Sequence, residues 1–391
     1  MGTASDEFVA RIGVVTTSYP RESGDPAGQF VAGCAQWLAE QGHAVEVVAA
    51  GPGAERVDGL PVRRIDGGQL FYRGGAPDAL AGSRYAWAEA ARFQLALCRE
   101  ICSLGWDGVV SHWLVPSGLA AAALRCPHVA IAHSSDIALL RRSRLGRAYV
   151  RWLSRRADLV YSARHLVLPR APGRVVPMGI SPVPGDRNRG RAQFRLERTT
   201  VLFLGRLVPV KALDLLIEAL PPALDLVVAG AGPLAASWRR AAAGSRVRFL
   251  GEVRGQEKWD LLAAADLFCL PSRRLPDGRS EGMPTVLFEA MAAGLPIVAT
   301  DASGAAEVLS HGRSALIVPS TVLALRQALS RLAFDPRLAE RLAQAARAAS
   351  GDHAWPSVGP RLLPRWSTDS GKSRLHDRRQ KYRTALFPRS H

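Results

Sequence analysis

Residues 281–301 read EGMPTVLFEAMAAGLPIVATD. An apolar helix running straight into an apolar strand is one repeat of a parallel α/β sheet, so this stretch sets the fold class. Pro284 suits the first turn of a helix and Gly294 its C-terminal cap, and the spacing predicts a helix over 284–293. Only Thr285 and Glu289 are polar within it. A helix with almost no solvent face is expected between layers, where a carboxylate costs several kcal/mol unless donors surround it. Glu289 therefore needs a hydrogen-bonding partner, and a bound ligand is one candidate.

The same alternation runs through the chain. Before residue 180 stand RIGVVTTSY, GQFVAGCAQWLAEQGH, AVEVVAA, DGVVSHW, HVAIAHSSD and ADLVYSA; after residue 198 follow TTVLFLGRL, DLVVAGAG, VRFLGEV, DLFCLPS, LPIVATD and SALIVPS. Strand, helix, strand at this spacing means right-handed parallel crossovers. Between the two series, SPVPGDRNRGRAQFRLER (181–198) is rich in Pro, Gly and charge and reads as a linker. We expect two Rossmann-like, doubly wound domains facing a central cleft, 1–180 and 199–350, followed by an atypical basic tail over 351–391. Pro356, Pro360 and Pro364 interrupt that tail, so at best short turns are expected after Trp355 and no packed structure beyond Arg365.

A chain of 391 residues with 48% hydrophobic content has enough apolar surface for more than one core. Its formal charge of +17 is carried almost wholly by arginine, the lysines being Lys211, Lys258, Lys372 and Lys381. That charge admits anionic lipid, nucleic acid or phosphorylated small molecules without choosing among them. Five cysteines without a C-x-x-C pair suit a reducing cytoplasm. Nowhere are there about 18 consecutive apolar residues, and MGTASDEFVARIGVV lacks a basic segment leading into an apolar one. A cytoplasmic protein is expected, soluble or peripheral at the inner membrane face.

Ligands of open parallel sheets bind beyond the strands' carboxyl ends. There VLFLGRLVPVK places Arg206 and Lys211, two cations able to clamp a diphosphate, though a surface pair fits the spacing equally well. HVAIAHSSD supplies His133, Ser134, Ser135 and Asp136; a helix cap accounts for Ser135 or Asp136 but not His133. Gly24 and Gly28 precede a helix in a loop that either meets a phosphate or sugar or is plain surface. VVAGAGPL reads as a tight turn, and His112 as packing beside Trp113. Residues 141–156 hold seven arginines and no acid. Leu145, Tyr149, Trp152 and Leu153 interleave there at helical spacing, as on a helix lying on anionic membrane or on a solvated basic one. No metal ligands stand at diagnostic spacing.

The opening stretch resembles the E-x7-E motif of retaining GT-B glycosyltransferases of family 4, with Glu281 and Glu289 as the two acids. GHAVEVVAA, HSSD, VVPMGI, FLGRLVPVKALDLLIEAL, LFCLPS and GAAEVL fall in the family's order, covering roughly 10–350. The resemblance implies a nucleotide-sugar site built from Gly28, Asp136, Gly205, Arg206, Lys211, Val253, Glu281, Gly282, Met283, Pro284 and Glu289. By the same token Glu289 would hold the ribose and Glu281 the transferred sugar. Arg206 and Lys211 would neutralise the diphosphate, while His133 and Asp136 orient sugar hydroxyls. Ala212, Ser134 and Ser303 stand where the family commonly has Gly, and the proline-interrupted C-terminus replaces its closing helix.

These readings converge on a retaining, metal-independent hexosyltransferase. It would move a sugar from a UDP- or GDP-sugar, with no further cofactor, to a glycan or lipid-linked acceptor in cell-surface polysaccharide or glycolipid synthesis. The rivals are a GT-B nucleotide-sugar epimerase and a non-catalytic glycan-binding protein. Nucleic acid is disfavoured as a partner, because stacking aromatics are not grouped with the arginines.

Overall fold

The computed structural model describes residues 9–67, 70–71 and 84–367. Its first sheet comprises β1 (Arg11–Thr16), β2 (Ala44–Ala50), β3 (Arg56–Val57), β4 (Leu60–Ile65), β5 (Gly108–His112), β6 (His128–Ala132), β7 (Asp158–Tyr161) and β8 (Arg174–Val175), in the order β3-β4-β2-β1-β5-β6-β7-β8. Only the β3–β4 pair is antiparallel. Around it lie α1 (Gln29–Glu40), α2 (Arg84–Cys102), α3 (Ser134–Leu140) and α4 (Arg144–Leu153). Its central strands are apolar runs because both faces are covered by helices.

The second sheet holds β9 (Thr200–Leu204), β10 (Asp225–Ala229), β11 (Val247–Gly251), β12 (Leu267–Leu270), β13 (Ile297–Thr300) and β14 (Leu316–Val318), ordered β11-β10-β9-β12-β13-β14 and parallel throughout. The segment 181–198 is more than a linker. It contains α5 (Arg187–Phe194), which packs on α8 (Gly255–Ala264) so closely that a Cβ on Gly190 would lie 2.2 Å from the Asp260 carbonyl oxygen. Arg189 grips buried Asp260 through two bonds of 2.6 and 2.7 Å, a pairing the charge pattern alone did not reveal.

Between β9 and β10 lies α6 (Leu213–Ala219), and α7 (Ala235–Ala241) follows β10. The opening stretch forms α9 (Thr285–Ala292), with Gly294 in the left-handed conformation just beyond it (φ 73°), as the cap requires. After β14 come α10 (Val322–Phe334) and α11 (Pro336–Ser350).

The expectation of short turns after Trp355 is overturned. Residues Trp355–Leu362 form α12, which crosses back onto the first domain and packs against α1. Of the three prolines only Pro360 is interior to it. Pro356 sits in the first turn, where no N–H is needed, and Pro364 opens a separate turn at 364–366. The single lost bond is outweighed by burial of Trp355, Val358, Leu362, Leu363 and Trp366 in the first domain's core. Glycines let the helix in. Cβ atoms at Gly33 and Gly359 would each lie 2.1 Å from a tryptophan, Trp355 and Trp37 respectively. Residues 368–391, the rest of the expected basic tail, lie outside the described residues.

Replacing Trp355 by Ala should therefore cost about 3–5 kcal/mol, read as a lowered urea midpoint. An unchanged midpoint would mean that α12 is not integral to the fold.

Candidate active site

Both sheets reverse their strand order where the cleft opens, between β1 and β5 and between β9 and β12. The loops leaving those strands carry the polar groups. They line one cleft of about 2220 Å³, and every residue that the resemblance assigns to the site borders it. The two domains also touch across it. Arg142 pairs with Asp277 at 3.2 Å and Arg254 with Glu22 at 3.6 Å. Glu307 accepts from the Arg164 backbone N–H (2.7 Å) and pairs with His165 Nδ1 (2.8 Å).

On the second domain, the chain leaves β9 through Gly205 (φ 156°). A Cβ on Gly230 would meet the Gly205 carbonyl at 1.9 Å, so the AGAG turn is a close-packed buttress, in line with the tight turn expected of it. Arg206 is exposed at the cleft, whereas Lys211 is buried at the end of a short 3₁₀ turn. Lys211 Nζ lies 2.6 Å from Glu281 Oε1, and the Ser272 hydroxyl donates to Glu281 Oε2. A buried lysine and a buried glutamate thus neutralise each other. Ala212, where glycine is common, adopts the left-handed conformation (φ 48°, ψ 42°), which an alanine tolerates at a cost of about 1–2 kcal/mol. Ser303 is accommodated differently: its hydroxyl donates to the Thr300 carbonyl and accepts from the Ala305 N–H, while Gly304 retains the positive φ.

Glu289 is not the isolated buried carboxylate that the helix pattern implied. It is half-buried at the cleft, and Lys258 of α8 reaches its Oε1 at 2.8 Å. Sequence reasoning missed Lys258, although it is one of only four lysines in the chain. Gly282 and Met283 lead into α9; Gly282 faces the Ser134 side chain and Met283 packs against cores of both domains. Val253, beyond β11, is buried at the cleft wall.

On the first domain, His133 is the N-cap of α3 and not Ser135 or Asp136. Asp136 turns back to accept from the N–H groups of His133 (2.9 Å), Ile137 (2.9 Å) and Leu114 (2.7 Å). Burial pushes its carboxyl up to about 7 against the pull of those amides. Its oxygens thereby shape the loop around His133, and the residue borders the cleft. His133 stacks on His112, ring centroids 5.5 Å apart, with His112 Nδ1 3.3 Å from His133 Nε2. Phe30 and Trp113 close around the pair. Burial lowers His133 to about 3 and holds His112 well below the usual imidazole range, so His133 presents a neutral ring at neutral pH. Gly28 caps α1 at φ 69°, where a Cβ would strike the Ser18 carbonyl at 2.3 Å.

The basic segment forms α4 and its flanks. Val150 and Leu153 are buried, and the half-buried Tyr149 donates to the Leu114 carbonyl at 2.8 Å. Leu145 and Trp152 face outward among the arginines. The interleaved apolar residues therefore divide between core and surface. Among the described residues no helix is long and apolar enough to cross a membrane, and no cluster of His, Cys, Asp or Glu could hold a metal ion.

Two parallel-sheet domains meeting at a cleft between their strand ends define the GT-B class. The sequence signature described as Glycosyltransferase Family 4 matches residues 27–183, and that described as Glycosyl transferases group 1 matches 198–335. The chain belongs to glycosyltransferase family 4. It is 32% identical over 213 residues to a GDP-mannose-dependent alpha-(1-6)-phosphatidylinositol monomannoside mannosyltransferase of Mycobacterium tuberculosis, covering 50% of this chain and 55% of that protein. Over 268 residues it is 30% identical to a Bacillus subtilis protein described as a teichuronic acid biosynthesis glycosyltransferase, covering 62% and 66%. The chain spans about half the length of the curated relatives it matches most strongly. In fold it is similar to sucrose-phosphate synthase from Thermosynechococcus elongatus (TM-score 0.73, 19% identity, 91% of this chain and 98% of that one). It is also similar to Anabaena HepE in complex with UDP and glucose (TM-score 0.67, 20% identity, 91% and 99%).

Neutral burial of two imidazoles links stability to pH. The unfolded chain protonates them below about 6.5, whereas the native pair does so only far lower. The native advantage is complete above about 6.5 and is lost as pH falls from there towards 3. Asp136 works the other way, since its raised carboxyl takes up a proton in the native state below about 7. With two imidazoles against one carboxyl the urea midpoint should still drop between pH 7.5 and 5, and less steeply in His112→Phe, which removes one of the two linked histidines.

Proposed function

We propose that this protein transfers a hexose from a UDP- or GDP-sugar to a glycan or lipid-linked acceptor, with retention of anomeric configuration. The observation that carries this reading is the placement of Arg206 and Lys211 beyond β9 in the same cleft as Glu281 and Glu289, at the point where the strand order reverses. Cations at that position suit a leaving diphosphate, whose charge grows as the sugar–phosphate bond breaks. Glu289, with one oxygen on Lys258, suits a ribose diol. Glu281 and His133, one on each domain, suit the hydroxyls of the sugar held between them. Several relatives are named for GDP-mannose and for phosphatidylinositol mannoside acceptors, which makes GDP-mannose the first donor to test.

The first domain suits an amphiphilic acceptor and a peripheral place at an anionic membrane. Its side of the cleft includes the apolar surfaces of Phe71, Trp87, Val115, Pro116, Leu119 and Leu139. Beside it Leu145 and Trp152 stand out among arginines. Two fixed cations can stabilise the leaving group as a divalent ion would, so the transfer is proposed to be metal-independent. The reading also bears on domain limits: an acceptor domain to residue 180, a donor domain over 199–350, and α12 completing the first.

Calorimetry across a nucleotide-sugar panel, followed by product analysis with a lipid-linked acceptor, tests the reading. Glu289→Gln should weaken nucleotide binding by about 1–3 kcal/mol, and Lys211→Ala should lower turnover more than affinity. Unchanged affinity in a folded Glu289→Gln protein would remove the ribose assignment. Release of free sugar without a lengthened acceptor would favour the epimerase, and loss of all activity in EDTA, restored by Mn²⁺, would refute metal independence.

Membrane association is tested separately. Changing Arg144, Arg147, Arg151 and Arg155 to Gln should reduce binding to acidic liposomes, with strong salt dependence in the parent. Equal binding by both proteins would leave only a solvated helix.

A further inference from the structure

Ser272 follows β12 and is fully buried. Its carbonyl accepts hydrogen bonds from the hydroxyl of Thr300, at the end of β13, and from that of Ser320, just past β14, the latter at 3.2 Å. Two neighbouring strand ends therefore pin this one residue at the end of its own, and its hydroxyl is spent on Glu281 Oε2. The other oxygen of Glu281 is held by Lys211. The two partners differ in kind. Lys211 is a point charge on a flexible four-carbon stem, free to turn towards a stronger anion; Ser272 is a short side chain on immobile backbone.

A diphosphate in the cleft would compete for Lys211 and release Glu281 Oε1, leaving the carboxylate tethered through Oε2. We propose that Ser272 is the positioning residue for Glu281: it keeps the carboxylate oriented so that Oε1, once freed, meets the donor's sugar hydroxyls. The proposal rests on the glycosyltransferase reading above. Ser272 does not border the cleft, so it acts through Glu281 and not on substrate. Its effect should therefore fall on the sugar end of the donor and spare the nucleotide end.

The test compares Ser272→Ala and Ser272→Thr with the parent in the full chain. Titrations use GDP-mannose, UDP-glucose and the bare diphosphates GDP and UDP, with thermal midpoints recorded alongside. In Ser272→Ala the affinity for the bound nucleotide sugar should fall about tenfold and kcat about ten- to a hundredfold. Affinity for the bare diphosphate should stay within about twofold. Ser272→Thr, which retains the hydroxyl, should restore the preference for nucleotide sugar over bare diphosphate. Equal losses for sugar-bearing and bare nucleotides would mark a structural role and overturn the proposal, as would a fully active Ser272→Ala. If the parent binds none of these ligands, the glycosyltransferase reading fails first and this proposal with it. If the parent binds and transfers while Ser272→Ala matches it, only the assignment of Ser272 fails.

Discussion

The cleft depends on a short backbone junction where two passes of the chain between domains lie side by side. The Ile180 N–H donates to the His353 carbonyl at 2.9 Å, and the Trp355 N–H donates to the Ile180 carbonyl at 3.1 Å. Beside these bonds the Trp355 ring is wedged against Gly33 and Gly179, where added Cβ atoms would lie 2.1 and 2.7 Å away. His353 stacks on Phe288 of α9, centroids 4.0 Å apart. One corner therefore joins the N-terminal core, the two crossing strands of chain and the helix that carries Glu289. Any change in the opening of the cleft has to be absorbed by rotation about that corner.

Charge is distributed across the cleft in a way that suits a ligand charged at one end only. The second domain's side is built from ion pairs: Lys211 with Glu281 and Lys258 with Glu289. Each pair lowers the cost of burying its members. Each can also be reopened by a ligand offering a better partner to one half, phosphate to lysine or hydroxyls to glutamate. On the opposite wall, beyond β5 and β6, the ionisable groups around His133 carry little available charge. His112 and His133 are uncharged, and Asp136 is enclosed by three backbone amides.

Much of this was legible because it follows from periodicity and cap chemistry. Apolar runs with β-branched residues gave the strands, and Gly294 and Pro284 bracketed α9 to within a residue. The failures share a physical cause. Pro356, Pro360 and Pro364 look equally disruptive as letters, but a proline costs a helix only where an N–H was needed, and two of the three occupy turns that need none. Lys258 and Ser272 sit far from Glu289 and Glu281 in sequence, and side-chain pairing across sheet ends leaves no periodic trace. The amides around Asp136 were not legible either, because the Leu114 N–H reaches it only through a turn between β5 and β6 that the pattern does not show.

The small residues around the site differ in what each position demands. At Gly28 and Gly230 a Cβ would strike backbone oxygen at 2.3 and 1.9 Å, and no side-chain rotation relieves that. At residue 212 the requirement is conformational, not steric: alanine accepts the left-handed backbone at modest cost and keeps Lys211 aimed at Glu281. At residue 303 the hydroxyl of serine finds its own backbone partners. The positions that hold glycine against backbone are those where two loops touch directly. At 212 and 303, where the family resemblance implies glycine, only φ or an open polar neighbour has to be satisfied, so alanine and serine fit the geometry around the cations and carboxylates.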